Sequence, residues 1–189
     1  MLGPGCTTPH RADLVQLTNA DFELPLDSGW TVINDTGGWN CGRVARSDTL
    51  GQPRPGFAAY VYKDDGRPGS SLSQTVPIET LGQVARFWAR FRVGREDSTV
   101  FSCEVTFSYL DDAGTRLART SFVRGCTLCD LRSSDSVHII PIADTAGQWA
   151  QYSFNLQTEL DSALPRVDQS QIRRLRVELL AQVEWDEWG

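Results

Sequence analysis

The chain is short of lysine, methionine and histidine, and it has no long apolar run. Of its 18 Lys and Arg residues only Lys63 is a lysine, there is one Met, and His10 and His138 are the two histidines. No apolar stretch approaches the roughly 20 residues that a membrane-spanning helix needs, which excludes an evident transmembrane segment. Scarce histidine leaves few bases for nucleophilic catalysis, and a Gly-x-Ser-x-Gly elbow is missing. Five cysteines are present, Cys6, Cys41, Cys103, Cys126 and Cys129. Cys126 and Cys129 have ligand spacing, but zinc takes four ligands and no second pair exists. A disulfide, two unrelated loop cysteines, or recruitment of Cys41 and His138 are the open readings. Cys103 falls on an apolar strand face, where a free buried thiol is the default. The net charge of −6 argues against nucleic acid as the main partner.

What is present fits one folded domain. The chain has 189 residues, 40% of them hydrophobic and 22% charged, within the range of ordinary globular proteins. Residues 1–16 read as a leader or linker. Small residues before Cys6 and a polar stretch after it give a possible lipoprotein tether with a lipid anchor at Cys6, the alternative being an arbitrary start. Setting Cys6 aside, four cysteines allow up to two disulfides in an oxidising compartment. Residues 17–189 then form the domain.

From Leu17 onward short apolar alternations are separated by turn signals, with no amphipathic helix of ordinary length. Trp30 to Ile33, Ala58 to Lys63, Ser71 to Ile78, Ala85 to Val93, Val100 to Tyr109 and Thr115 to Arg124 read as strands. His138 to Ile142, Trp149 to Leu156 and Ile172 to Glu184 complete the set, and Thr36 to Pro55 reads as a long loop. Asp111-Asp112-Ala113-Gly114 is a hairpin turn. Pairing Leu110 with Thr115 across it predicts Thr106 opposite Arg119 and Cys103 opposite Phe122. The expectation is an all-β fold, an antiparallel β-sandwich or jelly roll of about eight or nine strands.

The most informative stretch is Ala85 to Val93. Ala85, Phe87, Ala89, Phe91 and Val93 alternate with Arg86, Trp88, Arg90 and Arg92, so the first set enters a core and the second stands on the opposite face. A Trp flanked by guanidinium groups can stack on and hydrogen-bond a sugar ring or another planar polar ligand.

Several short motifs carry a resemblance. Asn19-Ala20-Asp21-Phe22-Glu23 followed by Gly29-Trp30, then Ser71-Leu72-Ser73-Gln74-Thr75-Val76, Phe87-Trp88-Ala89-Arg90 and Gly147-Gln148-Trp149-Ala150-Gln151-Tyr152, resemble the galactose-binding-like β-sandwich modules. Many bacterial carbohydrate-binding modules belong to that group. The resemblance implies a secreted or cell-surface domain that binds polysaccharide or oligosaccharide. It also implies that Trp30 and Trp149 are core residues. Members usually end in an Asp-Asp-Val-like strand beyond the region matching Trp185 to Gly189, where this chain stops. Its terminal Asp commonly joins the opening Glu in a structural calcium site, so Glu23 and, less directly, Asp21 are implied as calcium ligands. Calcium takes six to eight oxygens, and these two residues supply half a set.

The expected ligand site is Trp88 and Arg90, with Glu104, Thr106 and Arg119 on strands that would neighbour them, and Trp39 as a rim aromatic. The competing picture covers Trp88 with a loop and pairs Arg86, Arg90, Glu104 and Arg119 as surface ions. Glu104 and Glu178 both point away from the core, yet nothing in the sequence makes their strands adjacent. The expectation is therefore a domain without catalytic residues. The alternatives are a structural or adhesion domain binding a partner protein, and a jelly-roll glycoside hydrolase.

Overall fold

Among the described residues, alternating apolar residues and turn signals yield ten strands and one α-helix: β1 (Thr31–Ile33), β2 (Arg43–Ser47), β3 (Ala58–Tyr62), β4 (Ser70–Pro77), β5 (Val84–Ala89), β6 (Val100–Leu110), β7 (Arg116–Gly125), β8 (Val137–Pro141), β9 (Ala150–Asn155), α1 (Leu156–Ala163) and β10 (Arg174–Glu184). The computed structural model describes residues 14–34, 42–49, 56–63, 69–93, 100–125, 132–143 and 147–184, without the side chains of 100, 101, 183 and 184. Cys6, His10, Trp39, Cys41, Cys126, Cys129, Trp185 and Trp188 lie outside the described residues.

The fold is all-β. A six-stranded sheet in the order β1-β4-β10-β6-β7-β8 is accompanied by two ribbons, β5-β9 and β2-β3. The named strand pairs are antiparallel except β7 and β8, which run parallel, a departure from the expected wholly antiparallel set. No described helix is long and apolar enough to cross a membrane.

The layers meet through aromatic side chains. Phe107 and Phe122 from the large sheet pack against Phe87, Tyr152 and Phe154 of the β5-β9 ribbon, with ring centroids 4.9–5.6 Å apart across the layers. Val105, Tyr109, Leu175 and Val177 extend this core, and Leu156, Leu160 and Leu164 close one side of it. The last three are spaced i, i+4, so one stripe of α1 and its end is buried. Asn155 caps the helix by accepting a hydrogen bond from the Thr158 amide at 3.0 Å.

A second cluster forms where Trp30, Val44 and Leu72 meet. Trp30 is in the core as expected, with Phe22 at 5.4 Å and its indole N–H donating to the Asn19 carbonyl at 3.2 Å. Buried Gln74 fastens the opening loop to β4: its Oε1 accepts from the Thr18 amide at 2.8 Å, and its Nε2 donates to the carbonyls of Thr18 and Gly29. Gly29 has φ +109, and a Cβ there would lie 2.9 Å from the Thr18 Cβ, so the contact requires glycine.

The β6-β7 register differs from the expected one. Thr106 faces Ser121 and Cys103 faces Arg124, while Arg119 faces Ser108. Two local features move the pairing. Asp111 itself pairs with Thr115, leaving a three-residue loop with Gly114 at φ +85, and Leu117 is bulged between the Tyr109–Ala118 and Leu110–Arg116 pairs.

Cys103 is a free cysteine at the rim of the core. Burial pushes its thiol up to about 11, partly opposed by a backbone hydrogen bond at Arg92 and by the Arg124 charge. Thiolate is the reactive form, so at pH 8 iodoacetamide labels Cys103 about 100-fold more slowly in the native chain than in urea. Peptide mass spectrometry reads the two rates, and equal rates would contradict this burial.

Candidate functional site

Side-chain parity on β5 sets the first surface. Ala85 and Phe91 are buried, whereas Arg86, Trp88, Arg90 and Arg92 are exposed. Because Phe87 packs inward on Phe107 and Phe122, Trp88 must project from the outer side of the ribbon. It keeps 42% of its surface, so the picture of a Trp88 covered by a loop does not hold. Across the ribbon, Arg86 faces Ser153 and Trp88 faces Gln151. Trp149 continues the outward row of Gln151 and Ser153 and lies under the Arg90 guanidinium, 5.9 Å from the ring centroid. This half-buried Trp149 belongs to the outer face, not to the core where the resemblance put it.

The second surface is the outer side of the large sheet. Val105 and Phe107 enter the core, so Glu104 and Thr106 turn the other way. They share that face with Ser108, Arg119, Ser121, Arg176 and Glu178, in the rows Arg119–Ser108–Arg176 and Ser121–Thr106–Glu178. Trp88 and Arg90 therefore stand on the outer side of the ribbon, and Glu104, Thr106 and Arg119 on the far side of the large sheet, where Glu104, Thr106, Ser108 and Ser121 are buried. A single groove combining these five residues is ruled out, because the aromatic core lies between them.

The second surface has chemistry of its own. Glu104 is 9% exposed and is held by Ser102 Oγ at 3.3 Å, Thr106 Oγ1 at 3.4 Å and Gln182 Nε2 at 3.2 Å. Glu178 faces Thr106, and Glu104 faces Leu180 on the same strand pair. The two glutamates are thus diagonal neighbours, about 7–8 Å apart at the backbone. Glu178 is half-buried and has no hydrogen bond or ion pair among the described residues. Beside them the Arg119 Nε is buried without a hydrogen-bond partner.

Glu23 and Asp21, the implied calcium ligands, are both occupied by backbone amides. Glu23 Oε1 accepts from the Phe57 N–H at 3.0 Å, and Asp21 Oδ1 accepts from the Glu23 N–H at 3.3 Å. Among the described residues no three His, Cys, Asp or Glu side chains converge. This donor set falls short of what calcium requires.

Sequence patterns missed one polar network. Glu159 is buried on α1 and accepts from Thr120 Oγ1 at 2.8 Å, while His138 Nδ1 lies 2.5 Å from the same oxygen. The Tyr109 hydroxyl continues the chain to Thr120 at 3.4 Å, and burial pushes its phenol up. The available signal was a Glu between Leu156 and Leu160 on the inward stripe of a helix.

No protein-family model and no curated protein matches the chain. Among solved structures it is similar to the enzymatically active domain of tailspike protein 4 from bacteriophage CBA120, with 14% identity and a TM-score of 0.48. That match covers 88% of this chain and 19% of the other, so the chain spans about a fifth of its length. The expectation of a domain without catalytic activity is corrected here. The sheet register brings together Glu104 and Glu178, the two glutamates whose strands the sequence left apart.

Proposed function

We propose that this domain binds carbohydrate on the outer face of the β5-β9 ribbon, with Trp88 as the stacking platform. The observation that carries the reading is an exposed Trp88 beside an Arg90–Trp149 stack, with Gln151 and Ser153 opposite as neutral hydrogen-bonding groups. C–H faces of sugar rings stack on indoles, and guanidinium and amide groups fix the hydroxyls. Glycan of this kind is met outside the cytoplasm, so a secreted or cell-surface location goes with the proposal. An open face leaves much of a ligand solvated, and the affinity is modest.

The test is titration against soluble polysaccharides followed by intrinsic fluorescence and calorimetry. Trp88→Ala weakens binding about 30-fold, the effect of removing a central aromatic anchor, with the fold intact by circular dichroism. Unchanged affinity would overturn the site.

The Glu104–Glu178 register favours a second reading, glycoside hydrolysis on the opposite face. Hydrolases that act through two carboxylates hold them about 5–5.5 Å apart for retention or about 6.5–9.5 Å for inversion. A diagonal pair reaches this range. Glu104, fixed by three donors, would face the anomeric carbon, and Glu178 would exchange the proton with leaving group and water. On this reading Glu178→Gln cuts reducing-end release at least about 100-fold. No release by the native protein from a polysaccharide that it binds would eliminate the second reading.

A further inference from the structure

The ribbon face is charged as well as aromatic. Arg86 stands on the same side of β5 as Trp88, Arg90 lies over Trp149 just past the strand, and Arg92 follows it, all three exposed. Arg86 and Arg92 make no side-chain hydrogen bond or ion pair among the described residues, and Arg90 rests on the Trp149 ring alone. Several arginines elsewhere are engaged. Arg166 pairs with Asp135, Arg174 with Asp112, Arg176 with the Thr75 hydroxyl, and Arg46 with the Glu23 carbonyl and the Phe57 ring. The chain has 24 acidic residues against 18 basic ones, so carboxylates are abundant, yet none among the described residues is paired with this row.

Like charges close together on one face repel one another, and no carboxylate among the described residues pairs with them to offset that repulsion. The row also spans roughly 13 Å from Arg86 to Arg90, at about 3.3 Å per strand residue. A ligand suited to it carries rings for Trp88 and several anions spaced along a chain. From this charge complementarity we propose that the face takes an anionic polysaccharide, its carboxylate or sulfate groups held by Arg86, Arg90 and Arg92 while a ring stacks on Trp88. This rests on the carbohydrate-binding reading and specifies its ligand class. Planar guanidinium groups match carboxylates and sulfates with paired N–H donors, which a neutral glycan leaves unused. Single-stranded nucleic acid also offers rings and anions, but the net charge of −6 opposes it.

The experiment titrates the full chain with polygalacturonate, alginate and hyaluronan, each beside its carboxyl-reduced counterpart, and with oligo-dT, at low and moderate salt. The acidic member of at least one pair binds about tenfold or more tightly than its neutral counterpart and weakens as salt rises. The double substitution Arg86→Gln with Arg92→Gln reduces that preference and leaves the affinity for the neutral counterparts unchanged. Both positions are exposed, so the variant folds, which circular dichroism checks. Equal affinity for the two members of every pair, an unaffected double variant, or preference for oligo-dT would each overturn the anionic ligand. Trp88-dependent binding of equal strength to the acidic and neutral members would overturn it while leaving the carbohydrate reading intact. Binding to none of the polysaccharides would overturn both.

Discussion

Phe122→Ala lowers the unfolding free energy by about 3–5 kcal/mol, the cost of deleting a core ring and leaving a cavity. Phe122 is 5% exposed and lies 5.2 Å from Phe87, 5.6 Å from Tyr152 and 5.6 Å from Phe154. Those three partners belong to the β5-β9 ribbon, whereas Phe122 belongs to the large sheet. The ring therefore joins the two layers, and its loss loosens the ribbon that carries Trp88. Urea unfolding measures the effect, with Tyr62→Ala as a control. Tyr62 is 47% exposed at the end of β3, and surface truncations typically change stability by about 0.5 kcal/mol or less. A Phe122→Ala loss no larger than the control would contradict the account of the interlayer core.

The second large effect is at Glu159. Glu159→Ala removes the acceptor shared by Thr120 Oγ1 and His138 Nδ1, in a place where buried polar groups have few replacements. The expected loss is about 1–3 kcal/mol, the cost of stranding buried donors. Glu159→Gln keeps an amide oxygen at the same position and recovers part of that loss, because the Thr120 hydroxyl keeps an acceptor. Equal stabilities for the Ala variant and the native chain, again by urea unfolding, would show that the network contributes nothing. The link to function runs through β8, since His138 fastens α1 to this edge strand of the large sheet.

Most of the strand layout was legible because strands announce themselves by period-2 alternation. β5, β6, β7 and β10 appear close to where Ala85 to Val93, Val100 to Tyr109, Thr115 to Arg124 and Ile172 to Glu184 placed them. The misses have local causes. β2 has one buried apolar residue, Val44, inside a stretch rich in Gly, Asp and Asn, too little alternation to stand out. The eight-residue α1 is barely two turns, too short for its Leu156, Leu160 and Leu164 spacing to stand out as a helical period. The bulge at Leu117 shifts every pair beyond it, which no residue pattern foretold.

The site was half legible for a related reason. Alternation tells which side chains leave the core, but a sandwich has two exteriors, and parity cannot say which one a residue joins. Trp88 and Glu104 are both outward, on opposite layers, because β5 pairs with β9 rather than with its neighbour in sequence, β6. Gln151 and Ser153, which share the face of Trp88, come from a strand more than 60 residues later, roughly the separation across which long-range pairing escapes local signals. Conversely, the adjacency of Glu104 and Glu178 rests on β10 inserting between β4 and β6.

The central claim is that ligand sits on the ribbon face. Hydroxyl-radical footprinting of the chain saturated with the polysaccharide chosen by titration tests it most directly. The account predicts that oxidation of Trp88 and Trp149 falls on binding while that of Tyr62 is unchanged. Full oxidation of Trp88 in the saturated complex, with protection appearing instead around Leu180 and Glu178 on the opposite sheet, would contradict it.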